Sequence, residues 1–302
     1  MRLALEGLVP AAFTPLAPNG SLALDRVPLL VEALIADGVA GLYVCGSTGE
    51  GPSLTTEERE QVTESYIAAA AGRVPVLVQV GHNALPDACR LARHAQAAGA
   101  AAISATPPMY FKPSSLESLV RCLEEITAAA SDVPFYYYHI PEMTNVAFDP
   151  VDLLRTSGAR MPSFAGMKFT SADLAGFQAC LELDDGEYDV FWGKDEMLLS
   201  ALAVGARAAI GSTYNYAAPL YRKLMAAFSN GQLDEARQLQ SQAVQMIRPL
   251  FAFGGLLPTL KAAMTIHGRD CGPPRLPHLP LTAEEFARLE EMLSASGAAI
   301  AG

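Results

Sequence analysis

Short β-rich runs alternate with longer Ala/Leu-rich amphipathic stretches from the N-terminus to about residue 230, and this alternation constrains the fold more than any other feature. It specifies a parallel sheet covered by helices, because two parallel strands can be joined only by a crossover segment. Strand-like runs fall at 8–13, 41–45, 76–80, 101–105, 134–140, 164–169, 190–192 and 208–211. Eight such runs predict an α/β fold closed as a TIM (β/α)8 barrel. An open doubly wound sheet is the second choice, unsupported because no GxGxxG follows the first strand. Helix starts are marked physically. Thr55 with Glu58, Ser114 with Glu117 and Thr282 with Glu285 fit capping boxes, and Asp149-Pro150 fits an N-cap followed by Pro at the first helical position.

A barrel of this kind takes about 250 residues, and its units are spent near Phe228. The expected organisation is therefore a catalytic barrel over 1–228 and a C-terminal helical extension over 229–302 packed on it. The extension carries helical patterns at 234–253 and 257–267, then a Gly/Pro break at 272–277 before a last helix from Thr282.

Composition narrows the partners. Among 302 residues, 21 Lys and Arg oppose 32 Asp and Glu, a formal balance of −11 that repels phosphate backbones and anionic lipid surfaces. Neither nucleic acid nor a membrane is expected as a partner. No apolar run reaches the roughly 18 residues of a spanning helix, and the N-terminus MRLALEGLVPAAFTPL shows no signal-peptide pattern, so a cytoplasmic protein is expected. Cysteines 45, 89, 122, 180 and 271 are odd in number, scattered and without CxxC, and read as small hydrophobes. His82, His94, His139, His267 and His278 show neither HxxxH nor HxH spacing, which argues against a metal centre.

In a barrel, chemistry sits at the C-terminal ends of strands and in the loops that follow. Three segments there stand out. Lys168, in Phe164-Ala165-Gly166-Met167-Lys168-Phe169-Thr170, is one of five lysines and the one flanked by apolar β-like residues. Simple alternation puts Phe164, Gly166 and Lys168 on one face, with Gly166 leaving room beside the amine. Burial disfavours the charged form of an amine and makes the neutral form available to attack a ketone and form a Schiff base. The plain alternative is a lysine snorkelling from a strand end. Lys194 is the rival, but Asp195 and Glu196 beside it would hold it charged. The second segment, Gly46-Ser47-Thr48-Gly49-Glu50-Gly51, lets backbone N–H groups and two hydroxyls converge on a small carboxylate, or else is a tight βα turn. It is not a P-loop, since GK[ST] is missing. The third, Phe135-Tyr136-Tyr137-Tyr138-His139-Ile140-Pro141, ends a strand with phenols that can relay protons or serve as core.

Taken together, GSTGE after strand two, YYYHIP at strand five and GMKFT at strand six resemble the N-acetylneuraminate lyase and dihydrodipicolinate synthase family of class I, Schiff-base aldolases. The likeness runs in order through 41–50, the thirty-residue interval from Tyr138 to Lys168, Trp192-Gly193-Lys194-Asp195-Glu196 and Gly211-Ser212-Thr213-Tyr214-Asn215-Tyr216. FYYYHIP, GSTYNY and GPPRLP look most like the N-acetylneuraminate lyases of that family. The resemblance implies roles. Lys168 matches the imine-forming lysine, Tyr138 the proton-moving tyrosine, and Ser47 and Thr48 the pair that holds the pyruvate carboxylate. Thr170, Gly193, Asp195, Glu196 and Ser212 match positions that bind the hydroxylated sugar portion. Tyr110 matches an aromatic that reaches across a dimer contact into the neighbouring site, which implies a homotetramer built from dimers.

The resemblance further implies reversible cleavage of N-acetylneuraminate to pyruvate and N-acetylmannosamine, with a covalent Schiff base on Lys168 and no metal or organic cofactor. Two departures are visible. Pro141 is followed by Glu142 and Met143, where the synthases carry an arginine two residues after the proline, and Glu142 and Asn145 stand where the lyases commonly have a small residue and a glycine. The alternatives are a 2-keto-3-deoxy sugar acid aldolase or dehydratase, a dihydrodipicolinate synthase, and a silent pyruvate- or sialic-acid-binding protein.

Overall fold

The computed structural model describes residues 2–295. Strands and helices alternate as β1 (Gly7–Pro10), α1 (Val27–Ala36), β2 (Leu42–Val44), α2 (Thr56–Ala70), β3 (Val76–Gln79), α3 (Leu85–Ala98), β4 (Ala102–Ala105), α4 (Leu116–Ala129), β5 (Phe135–His139) and the single turn α5 (Pro141–Thr144). The chain continues through α6 (Pro150–Arg160), β6 (Phe164–Phe169), α7 (Leu174–Glu182), β7 (Asp189–Trp192), α8 (Leu198–Ala203), β8 (Ala208–Gly211) and α9 (Tyr214–Ser229). All eight strands are parallel in the order β1-β8-β7-β6-β5-β4-β3-β2, and an Ala11–Tyr43 bridge joins the end of β1 to β2. The sheet is thus a barrel with its helices outside, as the alternation predicts.

Local chemistry sets the helix starts. Thr55 and Glu58 close a capping box, Thr282 and Glu285 exchange the same pair of bonds, and the Asp149 carboxylate accepts from the Asp152 N–H ahead of Pro150. The box expected at Ser114 and Glu117 lies one residue later: Ser115 and Ser118 bond each other's backbone N–H groups. The Ser118 hydroxyl does there what a Glu at that position would do.

Strand alternation divides the core in two. Val9, Tyr43, Leu77, Ala102, Tyr136, Tyr138, Phe191 and Ile210 fill the barrel, while Val44, Val78, Ile103, Tyr137, Met167, Phe169 and Trp192 pack against the helices. Both faces are buried, which is why the strands read as nearly continuous apolar runs. One face assignment fails at β6. Phe164 belongs with the outer layer and Ala165 with the inner one, because the β5–β6 register slips between Phe135↔Phe164 and Tyr136↔Gly166. Gly166 absorbs that bulge at φ +147°, and a Cβ there would strike the Asp189 carbonyl of β7. Its small size serves the close approach of β6 to β7, not room beside the amine.

After α9 the chain turns at Gly231 into α10 (Leu233–Ile247), α11 (Leu256–Ile266) and α12 (Ala283–Ala295). The helical pattern over 234–253 breaks into α10 and a 3-10 turn, Arg248–Phe251, where Pro249 has no N–H to continue the α ladder. Ala243, Met246, Leu250, Leu260 and Leu289 share the outer core with the barrel helices. Among the described residues, no single helix is long and apolar enough to cross a membrane. Cys45, Cys180 and Cys271 are buried, whereas Cys89 and Cys122 are only half-buried.

Candidate active site

The loops at the C-terminal ends of the strands and the start of the tail enclose a cavity of about 470 Å³. Ser47, Thr48, Tyr138, Lys168, Thr170, Gly193, Asp195, Glu196 and Ser212 all line it. Lys168 projects inward from β6 between Tyr138 of β5 and Phe191 of β7, its paired residues across the ladder. It is only 4% exposed. Its Nζ lies 4.2 Å from the centre of the Tyr138 ring and 4.4 Å from that of Tyr43. The two rings meet edge to face at 5.8 Å, so the amine rests in a corner of two aromatic faces. Sequence reading assigns Tyr43 no role. Inward alternation from a barrel would have placed it here. Burial pushes its phenol well above the ordinary tyrosine range, the neighbouring Tyr138 adding to the shift, and its hydroxyl shares a 2.7 Å hydrogen bond with Ser104.

The three consecutive tyrosines have separate fates. Tyr138 reaches the cavity, Tyr137 packs outward, and Tyr136 donates to Asp189 at 2.8 Å on the strand one step below the amine. His139 also faces out, against Phe169, and burial pushes its imidazole down to about 4.

The Ser47-Thr48 turn is held from beneath and behind. The Glu50 and Gly51 N–H groups donate to the Ser47 and Gly46 carbonyls, and Thr14 Oγ1 donates to the Gly49 carbonyl at 2.6 Å. Glu50 lies in the left-handed region at φ 55° and forms a fully buried ion pair with Lys261 of α11 at 2.6 Å. Lys261 also donates to the Thr14 and Pro273 carbonyls, and the Arg275 N–H donates to the second Glu50 oxygen. The tail therefore fixes the loop that faces the amine across the barrel. It further supplies an apolar wall of Ile247, Leu250, Phe251, Leu256, Leu257 and Leu260, together with His278. Sequence reading missed this wall, since helical spacing alone does not tell which apolar residues meet a cavity.

On the far side, space for polar groups is carved by glycines. A Cβ on Gly193 would strike Thr170 Oγ1, and one on Gly211 would strike the Asp195 carboxylate. Thr170 Oγ1 is shut off from solvent and has no hydrogen-bond partner among the described residues. Asp195 accepts from the Thr213 N–H at 2.8 Å and hydroxyl at 2.6 Å. Burial dominates its titration and pushes it up to about 6, against those bonds.

The sign of that shift has a consequence for stability. A carboxyl bound more tightly to its proton in the folded chain stabilises below its ordinary value of 3.8, and the contribution is lost as pH rises to about 6. Asp195→Asn can still accept both Thr213 bonds and is expected to lose this slope, worth on the order of 3 kcal/mol. Denaturant midpoints taken from pH 4 to 7 on both proteins check it; parallel curves would rule it out.

Lys194 does not pair with Asp195, as its sequence position suggested. It reaches across the mouth to Glu142 on α5, with Nζ 3.1 and 3.2 Å from the two carboxylate oxygens, and to Glu196 at 3.8 Å. Tyr110 stays outside the cavity. It is 76% exposed, stacked edge-on with Phe111, and its N–H donates to Asn83 Oδ1. Among the described residues, no group of three or more His, Cys, Asp or Glu side chains gathers where it could hold a metal ion.

The arrangement suits covalent capture of a keto acid: a buried amine, a phenol beside it, a hydroxyl-bearing turn opposite, and polar groups beyond. The profile of the Dihydrodipicolinate synthetase family matches residues 4–296. The N-acetylneuraminate lyase of Xenopus tropicalis is 42% identical over 276 residues, covering 90% of each chain. The solved N-acetylneuraminate lyase of Proteus mirabilis superposes with a TM-score of 0.94 at 38% identity, over 99% of this chain and 100% of that one. A Ruminococcus gnavus sialic acid aldolase, solved as a catalytic lysine mutant, superposes at 0.91 with 29% identity over 98% of both chains.

Proposed function

Since the chain belongs to the dihydrodipicolinate synthetase family, we propose that it is a carbon–carbon lyase that cleaves N-acetylneuraminate reversibly to pyruvate and N-acetylmannosamine. The observation that carries this reading is Lys168, buried at the floor of a cavity with Tyr138 against it and with Ser47-Thr48 lining the same cavity. The relatives' shared activity supports the substrate.

Lys168 Nζ attacks the C2 ketone of the open-chain sugar acid; water leaves and an iminium remains. The iminium draws electrons from the C3–C4 bond. As the C4 hydroxyl gives its proton to the Tyr138 relay, that bond breaks, an aldehyde departs, and the electron pair stays as the enamine of pyruvate. Protonation at C3 and hydrolysis return the free amine. Ser47 and Thr48 hold the substrate carboxylate and so fix the angle of attack. Thr170, Gly193, Asp195, Glu196 and Ser212 receive the hydroxylated remainder, where each buried hydroxyl needs a partner. The chemistry needs no metal or organic cofactor.

On this reading 1–228 is the catalytic barrel and 229–302 a C-terminal extension, whose residues 247–278 wall the mouth; residues 1 and 296–302 lie outside the described residues. The exposed Tyr110 and Phe111 pair, 76% and 86% open, supports a contact between copies in a homotetramer built from dimers. The free thiols among the described residues fit a reducing compartment, and we assign the cytoplasm.

Steady-state release of pyruvate decides the substrate. N-acetylneuraminate is expected to turn over with the higher kcat/KM, and faster turnover of 2-keto-3-deoxygluconate would replace this reading with the sugar acid aldolase one.

A further inference from the structure

Two loops that simple sequence reading keeps apart are tied together over the mouth of the cavity. Glu142 lies on α5, after β5; Lys194 and Glu196 lie after β7; all three line the same cavity as Lys168. Burial marks its axis: Lys168 is 4% exposed at the floor, whereas the Lys194 side chain is 18% and the Glu142 side chain 61% exposed at the rim. The strand order places β2, with its Ser47-Thr48 turn, across the ring from β6 and its neighbours. A keto acid with its carboxylate at that turn and its C2 on Lys168 therefore runs its far end toward Glu142, Lys194 and Glu196.

The rim is rigid where it counts. The Trp192 indole N–H donates to the Lys194 carbonyl at 2.5 Å, and the Gln240 amide donates to the Glu196 carbonyl at 3.1 Å. Glu142 sits on a turn closed by the Thr144 hydroxyl, which donates to the Ile140 carbonyl. Lys194 is thus an ammonium between two carboxylates, with Glu142 at 3.1 Å and Glu196 at 3.8 Å.

We propose that Glu142 is a specificity-determining residue: by occupying Lys194 it makes the distal end of the site accept neutral, hydroxyl-rich tails and reject tails ending in phosphate or a second carboxylate. This rests on the reading of the site as a keto-acid aldolase. Two carboxylates to one ammonium leave the rim with excess negative charge, and a terminal phosphate of charge about −1.5 to −2 meets repulsion unless it displaces Glu142. Rejection by like charge is a way to discriminate that costs the correct, neutral substrate little. Lys194 freed of Glu142 becomes the anchor for the anion it now excludes.

The test runs the reaction in the condensing direction, pyruvate with N-acetylmannosamine or with its 6-phosphate, and reads the ratio of the two kcat/KM values. The wild type prefers the neutral aldehyde. Glu142→Gln is expected to shift the ratio toward the phosphate by about tenfold, and Glu142→Asp, which keeps the charge, leaves it near the wild-type value. Adding Lys194→Met to Glu142→Gln removes the gain. An unchanged ratio in active Glu142→Gln, or a gain that survives the loss of Lys194, overturns this inference alone. A wild type that condenses neither aldehyde defeats the parent reading and this one together.

Discussion

Lys168→Ala is expected to lower cleavage of N-acetylneuraminate by at least about 10³-fold while leaving the fold intact. The loss should appear in kcat, because without the amine no iminium forms and the C3–C4 bond has no electron sink. The fold should tolerate the change. Lys168 touches the Tyr43 and Tyr138 ring faces at 4.4 and 4.2 Å and borders the cavity, so its removal enlarges an existing space. Contact with two rings also means the side chain does not swing freely: its nitrogen is held at the floor before substrate arrives. Steady-state assays beside thermal melts check both halves of the expectation. Activity within tenfold of the wild type would remove Lys168 from the chemistry.

The second large effect separates two steps. Tyr138→Phe keeps the ring that meets Tyr43 at 5.8 Å and faces the amine, and removes only the hydroxyl. Imine formation with pyruvate should therefore persist, while cleavage slows by about 10²- to 10⁴-fold, the usual worth of a positioned acid/base group. Tyr43 is not expected to substitute, since its hydroxyl is engaged with Ser104 and burial holds it well above the ordinary phenol range. Equal loss of trapping and cleavage would mean that the Tyr138 hydroxyl orients the amine and does not carry a proton.

Much of this was legible in the chain itself, for identifiable reasons. Parallel barrel strands are buried on both faces and flanked by capped helices, so the strand near 164–169 and the capped start at Thr55 are local features. Lys168 stood out because charge inside an apolar β run is rare, and it lines one cavity with Ser47, Thr48 and Tyr138. What escaped was non-local. The bulge at Gly166 comes from the crowding of β6 against the Asp189 carbonyl, which alternation within one strand cannot register. Sequence proximity set Asp195 and Glu196 beside Lys194; Glu196 does lie 3.8 Å from it, but Asp195 turns to Thr213 and Lys194 also meets Glu142 from another loop. The Glu50–Lys261 pair likewise joins residues separated by most of the barrel, and only the docking of α11 brings them within 2.6 Å.

Borohydride reduction in the presence of pyruvate, followed by peptide mapping, tests the central claim most directly. A reduced pyruvyl adduct on Lys168, absent when either pyruvate or borohydride is omitted, is the predicted result. An adduct confined to Lys194 or another lysine, or none at all, would contradict it.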